Sequence, residues 1–259
     1  MTKYPIILVH GILLKDKKYF KAFGKIEKVL KDAGYHVYTS QTDGFGSIET
    51  NAEQLKKQII EILENEKTNK INIIAHSKGG LDSKFMLENL DMIDCVSSLT
   101  TLATPHKGSP IASMLLKLPK FIIRITAWNI NLIYKMFGDE HPNSYKVCLQ
   151  LRKQDDEILQ FRDEVYEKVY CQSYSATMKN SKDDFLMMIP HKIFNHYEKN
   201  DNDGLVSKES SKFAYFKGDC IDDSISHGQL VDISLNRSKK DLVYSFWLEL
   251  CNDLKERGY

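Results

Sequence analysis

Hydrophobic positions along the chain fall into short unbroken runs that alternate with helically spaced ones. Ile6–Val9 is four apolar residues in a row, the pattern of a strand buried on both faces. Phe20, Phe23, Ile26 and Leu30 then recur at helical spacing, and Gly34 stands where a helix C-cap favours positive φ. Tyr35–Thr39 reads as a strand and Asp43-Gly44-Phe45-Gly46 as a loop. Thr50-Asn51-Ala52-Glu53 has the form of a capping box, opening a helix with Leu55, Ile59, Ile62 and Leu63 on one face. Ile71–Ala75 predicts a third strand, Gly79–Asn89 a helix and Val96–Leu102 a fourth strand. Val169–Tyr174 and Phe213–Phe216 predict two more strands. Lys240–Lys255 predicts a terminal helix with Leu242, Phe246 and Leu250 on one face.

This alternation predicts a single α/β domain over 1–259, with a mostly parallel central sheet and helices on both faces. In such sheets, reactive groups lie just past the carboxyl ends of the strands. One segment breaks the rhythm. Ile111–Phe137 is strongly apolar, and Pro119 and Asn129 interrupt it. Helices this apolar either belong to the core or cover an apolar cleft.

Composition narrows the class. Hydrophobic residues make up 42% and charged residues 27%, a balanced globular mixture, and the formal net charge is +1. Near-neutrality without a charged tail gives no reason to expect a nucleic-acid partner. The run Lys15-Asp16-Lys17-Lys18 reads as a solvated face. Five scattered cysteines (Cys95, Cys148, Cys171, Cys220 and Cys251) contain no CxxC pair, which argues for free thiols and against a disulfide framework or a thiolate zinc site. Ile6–Val9 is too short for the hydrophobic region of a signal peptide, and no run of about 18 apolar residues predicts a membrane span. The expected location is cytoplasmic, or secreted if a leader has been removed.

The chemistry starts at Ile71-Asn72-Ile73-Ile74-Ala75-His76-Ser77-Lys78-Gly79-Gly80. An apolar strand runs into a serine flanked two residues away by small Ala75 and Gly79, and a helix follows. A serine hydroxyl is a weak nucleophile, so it must stand exposed on a tight turn within reach of a base. Ala75 departs modestly from the G-x-S-x-G form. An ordinary strand–helix turn with a surface serine has the same short signature, and the buried strand before it raises the odds of a nucleophile. Val9-His10-Gly11-Ile12, after the first strand, provides the second part. Acyl transfer develops negative charge on a carbonyl oxygen, and one well-aimed backbone donor is worth about 2.7–4 kcal/mol. The N–H groups of Ile12 and Lys78 are the candidate pair, their side chains being incidental to that role.

Asp203, in Asn202-Asp203-Gly204-Leu205-Val206-Ser207, and His227, in Ser226-His227-Gly228, complete the order Ser…Asp…His expected of α/β-hydrolases. Asp203 would accept the imidazole Nδ1–H and stabilise the imidazolium formed as Ser77 loses its proton. Asp201 is the competing acid, while Asp222 and Asp223 fall in an expected surface loop. His10, His36, His106, His141, His191 and His196 read as structural or solvated, and His76 is expected to point away from the site.

Together, Tyr4–Gly11, Ala75–Gly80, Thr104-Pro105-His106-Lys107-Gly108-Ser109 and Asn202–Ser207 resemble the bacterial triacylglycerol lipases of the α/β-hydrolase superfamily, in the same order and across most of the chain. The resemblance implies triad roles for Ser77, Asp203 and His227 and oxyanion-hole roles for Ile12 and Lys78. It also implies a lid or cap over 109–150, with Ile111–Phe137 as lid and acyl-chain wall. Many of those relatives hold a structural calcium with an aspartate two residues past the histidine. Here that position is Gln229, with Asp183 or Asp184 as the other candidate ligand. A single carboxylate makes a poor calcium site, so no metal and no cofactor are expected.

The implied activity is a serine carboxylester hydrolase, lipase-like, acting on a small-molecule or lipid ester with transient lipid-surface contact through the lid. A soluble short-chain esterase or a thioesterase on the same triad is the alternative. A non-catalytic hydrolase fold serving as a binding module is the reading from another class.

Overall fold

The computed structural model describes residues 1–13, 15–17, 20–152 and 162–259. Six strands form one sheet: β1 (Ile6–Val9), β2 (Val37–Thr39), β3 (Ile71–His76), β4 (Val96–Leu102), β5 (Tyr170–Ser175) and β6 (Tyr215–Asp219). Their order is β2-β1-β3-β4-β5-β6 and every pairing is parallel. The connecting helices are α1 (Ile26–Asp32), α2 (Ile48–Glu66), α3 (Lys78–Asn89), α4 (Pro110–Leu115), α5 (Lys120–Met136), α6 (Ser144–Gln150), α7 (Asp163–Lys168), α8 (Met188–Tyr197), α9 (Lys208–Ser211) and α10 (Lys240–Glu256).

The expected α/β-hydrolase arrangement is therefore present, with helices on both sides. β1 shows why its sequence has no polar alternation. Ile6 and Leu8 pack with Ile26 and Leu30 of α1 and with Trp247 and Leu250 of α10. Ile7 and Val9 pack on the other side with Leu55 and Ile59 of α2 and Met86 and Leu87 of α3. Both faces of the strand exclude water, and each such side chain contributes about 1.5–3 kcal/mol of burial.

The topology also locates the site. From β1 the chain moves to β2 on one side, then returns to β3 on the other. The carboxyl ends of β1 and β3 thus lie side by side while their following segments diverge, which opens a crevice there. Ile12 and Ser77 follow those two ends.

Several local expectations are corrected. The first helix begins only at Ile26, because Gly24 takes φ +48° and a Cβ there would meet the Asp232 carbonyl oxygen at 2.4 Å. The N-cap of α2 is Ser47, whose hydroxyl accepts the Thr50 N–H at 3.3 Å. Thr50–Glu53 therefore lies inside the helix and is no capping box. That placement turns Asn51 inward, to the Asp43 carbonyl at 2.8 Å and the Asp82 carboxylate at 3.0 Å. The last strand starts at Tyr215, because Ala214 takes φ +46° and Phe213 turns into the core to stack on His106 at 4.4 Å. Helix α10 buries Val243, Phe246, Trp247 and Leu250 and leaves Leu242 exposed.

Lys15 is not solvated. It is buried and pairs with Asp43 at 2.7 Å, and Lys18 of the same run lies outside the described residues. All five cysteines are free thiols, three of them buried. Among the described residues no helix is long and apolar enough to cross a membrane.

The apolar segment becomes α4 and α5, which with α6 lie over the strand ends rather than in the core. Phe121, Trp128 and Met136 are 66%, 65% and 78% exposed, which excludes a core role for α5. Its connection to α6 is tied to the loop after β2 by reciprocal clamps. Asp43 accepts the N–H groups of Glu140 and His141 at 2.9 and 2.7 Å. Asp139 accepts those of Gly44 and Phe45 at 3.0 and 2.9 Å.

Candidate active site

Ser77 sits at the junction of β3 and α3 with φ +56° and ψ −133°, a backbone conformation that side-chain-bearing residues rarely adopt. Its surroundings hold it there. A Cβ on Gly79 would meet the Val9 carbonyl oxygen at 2.5 Å, and one on Gly80 would meet the Thr104 hydroxyl at 2.2 Å. A Cβ on Gly11 would meet the Ser77 Cβ at 2.7 Å and the Lys78 nitrogen at 3.1 Å. The small residues noted in the sequence are therefore sites of close backbone approach, and Gly11 brings the loop after β1 against the serine turn.

Asp203 and His227 meet, although 24 residues separate them. The His227 Nδ1–H donates to Asp203 Oδ2 at 2.6 Å. Asp203 Oδ1 accepts the N–H groups of Leu205 and Val206 at 3.0 and 2.8 Å, and the Asp203 carbonyl accepts the His227 N–H at 2.9 Å. One carboxylate oxygen is pinned by backbone donors, which aims the other at the imidazole. Asp201 is exposed and, among the described residues, supplies its carbonyl to the Lys208 N–H at 2.8 Å. Asp222 is exposed, and Asp223 pairs with Lys239 at 3.2 Å.

Ser77 and His227 share the wall of one cavity of about 370 Å³ with Gly11 and Ile12. Ile111, Leu115, Leu118, Ile123 and Ile130 of the α4–α5 segment supply much of its apolar wall, joined by Val147 and Leu151. Lys78 contributes its backbone at the α3 N-terminus, where the helix dipole favours negative charge. Its side chain is fully buried and pairs with Asp82 at 2.8 and 2.9 Å. Burial pushes the Asp82 carboxyl above its ordinary range, with Lys78 and Asn51 pulling the other way. The Lys78–Asp82–Asn51 chain continues to the Asp43 clamp, so the serine turn is braced to the loop after β2. The i,i+4 spacing of Lys78 and Asp82 was the only signal of this brace in the sequence.

His76 departs from expectation. It does not turn away from the site. Its ring lines the cavity and lies 4.4 Å from that of His227, at a 46° tilt. Burial, then the neighbouring His227, hold its pKa well below the ordinary histidine value. His10 is buried, with its Nδ1 2.9 Å from the Gly11 carbonyl oxygen, and burial lowers its pKa. His106 is buried with its Nε2 3.1 Å from the Thr101 hydroxyl, and burial brings its pKa down to about 3. His36 stands beside Glu66, His191 beside Ser181, and His141 and His196 are exposed.

The calcium implied by the lipase resemblance does not suit this donor set. The Gln229 side-chain N–H donates to the Asp183 carbonyl at 3.3 Å, and its oxygen accepts the Ser226 N–H at 3.0 Å. Asp184 is occupied by the Leu186 N–H at 2.8 Å and the Ser226 hydroxyl at 2.5 Å. An amide N–H where a hard cation needs an oxygen makes the residues unfit for calcium. Hydrogen bonds tie the His227 loop to Asp183–Asp184 instead.

The parallel sheet and its crevice match the α/β-hydrolase fold of the solved lipases, and with the relatives below the chain is a carboxylic ester hydrolase of the lipase and esterase kind. It belongs to the palmitoyl protein thioesterase family, whose model matches residues 5–221, a stretch that includes Ser77 and Asp203 and ends before His227. Triacylglycerol lipase 2 of Saccharomyces cerevisiae is 28% identical over 90% of this chain and 73% of its own length. A triacylglycerol lipase of Pseudarthrobacter phenanthrenivorans is 35% identical over 43% of this chain and 36% of its own. The solved lipase of Staphylococcus hyicus superposes with a TM-score of 0.69 at 15% identity, covering 98% of this chain and 96% of that one.

Proposed function

We propose that the protein hydrolyses esters of apolar acyl chains through an acyl-serine intermediate, with Ser77 as nucleophile, His227 as base and Asp203 as orienting acid. His227 takes the Ser77 proton as the hydroxyl attacks the ester carbonyl. The developing oxyanion is held by the N–H groups of Ile12 and Lys78. His227 returns the proton to the leaving alcohol, then activates the water that releases the acid. Asp203 keeps the proton on Nδ1, so the other ring nitrogen stays free to act as base.

The observation that carries this reading is the placement of Ser77 and of His227, itself bonded to Asp203, on the wall of one largely apolar cavity. Residues 109–150 serve as a lid in this account, the α4–α5 wall receiving the acyl chain and opening at a lipid surface. A second reading, cleavage of acyl thioesters on the same triad, is favoured by the family match.

Two experiments test the proposal. A serine-directed phosphonate is expected to label Ser77 in the folded protein, and an unmodified Ser77 ends the assignment. A hydrolysis panel of acyl chains from acetyl to palmitoyl, each as oxygen ester and thioester, is expected to favour long chains. Acetyl and butyryl preference, with no gain on emulsions, removes the lipase reading.

A further inference from the structure

Helix α5 carries two apolar faces. Ile123, Ala127 and Ile130 recur at i, i+4 and i+7 and line the cavity. On the opposite side Phe121, Ile125, Trp128, Leu132 and Met136 recur at i, i+4, i+7, i+11 and i+15, and all five are exposed. A helix that only roofed a cavity would need one apolar face. The second is an exposed patch of the kind that marks an interaction surface.

Along α5 itself the charges are of one sign. Residues 105–138 contain Lys107, Lys117, Lys120, Arg124 and Lys135 and no acidic residue, in a chain with 36 basic and 35 acidic residues overall. Lys120 and Arg124 are one turn apart, and Lys135, eleven residues past Arg124, returns to the same flank of α5. All three are exposed. An apolar face with tryptophan at its centre and a basic edge suits a helix lying in the plane of a lipid surface, with its cations at the phosphate level. A second copy of α5 would bring only more basic residues and no acid to meet them.

We propose that the outward face of α5 docks this protein on an anionic lipid surface, with Phe121, Ile125, Trp128 and Leu132 entering the acyl boundary and Lys120, Arg124 and Lys135 contacting lipid phosphates. The inference rests on reading α4–α6 as a lid over an acyl cavity, and it names the surface on which that lid works.

The test measures partitioning with the Ser77→Ala protein, so that no lipid is consumed, on phosphatidylcholine vesicles and on vesicles of phosphatidylcholine mixed with phosphatidylglycerol. The chain has two tryptophans, and Trp247 is already fully buried. A blue shift of emission on binding therefore reports Trp128, and it is expected to vanish in Trp128→Phe. The anionic vesicles are expected to bind more tightly. Each basic side chain near the surface is worth about a fivefold change, so Lys120→Gln/Arg124→Gln/Lys135→Gln is expected to lose on the order of a hundredfold. If that variant fails to fold, salt titration of the Ser77→Ala protein makes the same discrimination, since added salt weakens binding to anionic vesicles alone.

Equal binding to both vesicles, binding to neither, or a charge preference kept in the triple variant overturns the proposal. So does a dimer, seen by sedimentation, that forms through α5 and excludes vesicles. Turnover of a soluble short-chain ester by the parent protein is read separately. Only failure of a serine-directed phosphonate to label Ser77 in the folded parent protein would sink the catalytic reading, and it would leave the docking result standing.

Discussion

Strand β3, which carries the Ser77 turn at its end, and helix α5 are both largely apolar in sequence and opposite in setting. Around Ser77 every neighbour is fixed: β3 is buried along its whole length, Gly11 and Gly79 leave no room for a methyl group, and Lys78 is locked to Asp82. Helix α5 packs one face on the cavity and leaves the other in water, with Ala127 as its one buried residue. The contrast teaches that apolarity has two uses here. In the strand it fixes backbone geometry tightly enough to hold a strained serine. In the helix it lines a cavity on one side and stands bare to water on the other.

The largest expected effect is at the fixed end. Ser77→Ala is expected to lower kcat by about 10⁶-fold while leaving the unfolding midpoint near that of the parent. Residual activity near the parent level would break the comparison at its centre. Asp203→Asn is expected to cost on the order of 10⁴ in kcat, by presenting His227 with the wrong hydrogen-bond partner, while Asp201→Asn stays near the parent. The reverse ranking in steady-state assays would move the acid.

Stability sharpens the contrast directly. Ile74→Ala, in the core beside β1, is expected to cost about 2–5 kcal/mol in urea unfolding. Ile125→Ala on the outer face of α5 is expected to stay within about 0.5 kcal/mol. Equal costs would mean that α5 is core after all.

Acid is expected to weaken the protein through its buried histidines. Burial lowers the pKa values of His10, His76 and His106, so the folded state keeps them neutral where the unfolded chain is charged. Below about pH 6.5 the unfolded state therefore binds more protons, and stability falls as pH falls. Asp82, raised by burial, opposes this by one proton in the folded state. Urea midpoints that rise between pH 6.5 and 5 would contradict the neutral histidines. The smallest expected effect is that of chelators, none on activity, because Gln229 turns an N–H toward Asp183. Activity that requires calcium would overturn that reading.

Much of the architecture was legible because a strand buried on both faces has an unmistakable local pattern, as in Ile6–Val9 and Ile71–Ala75. Chain order likewise pointed to Ser77, Asp203 and His227 before any contact was known. The errors fell where a distant residue decides a local conformation. Gly24 breaks the first helix because Asp232 crowds it, and Ser47 replaces Thr50 as the cap because Asn51 is needed inside. The sequence of α5 stated its apolarity but not its exposure, since periodicity cannot say which faces meet other atoms.

What the linear order of residues settled alone was the class: unbroken apolar runs alternating with runs of period 3.6 point to a parallel α/β sheet, and a serine between small residues at a strand end points to where its chemistry would lie. The folded chain decided the rest. Only packing could turn His76 against His227, bury Lys15 and Lys78 in ion pairs, and leave one side of α5 bare, because each depends on groups far apart in sequence competing for the same space.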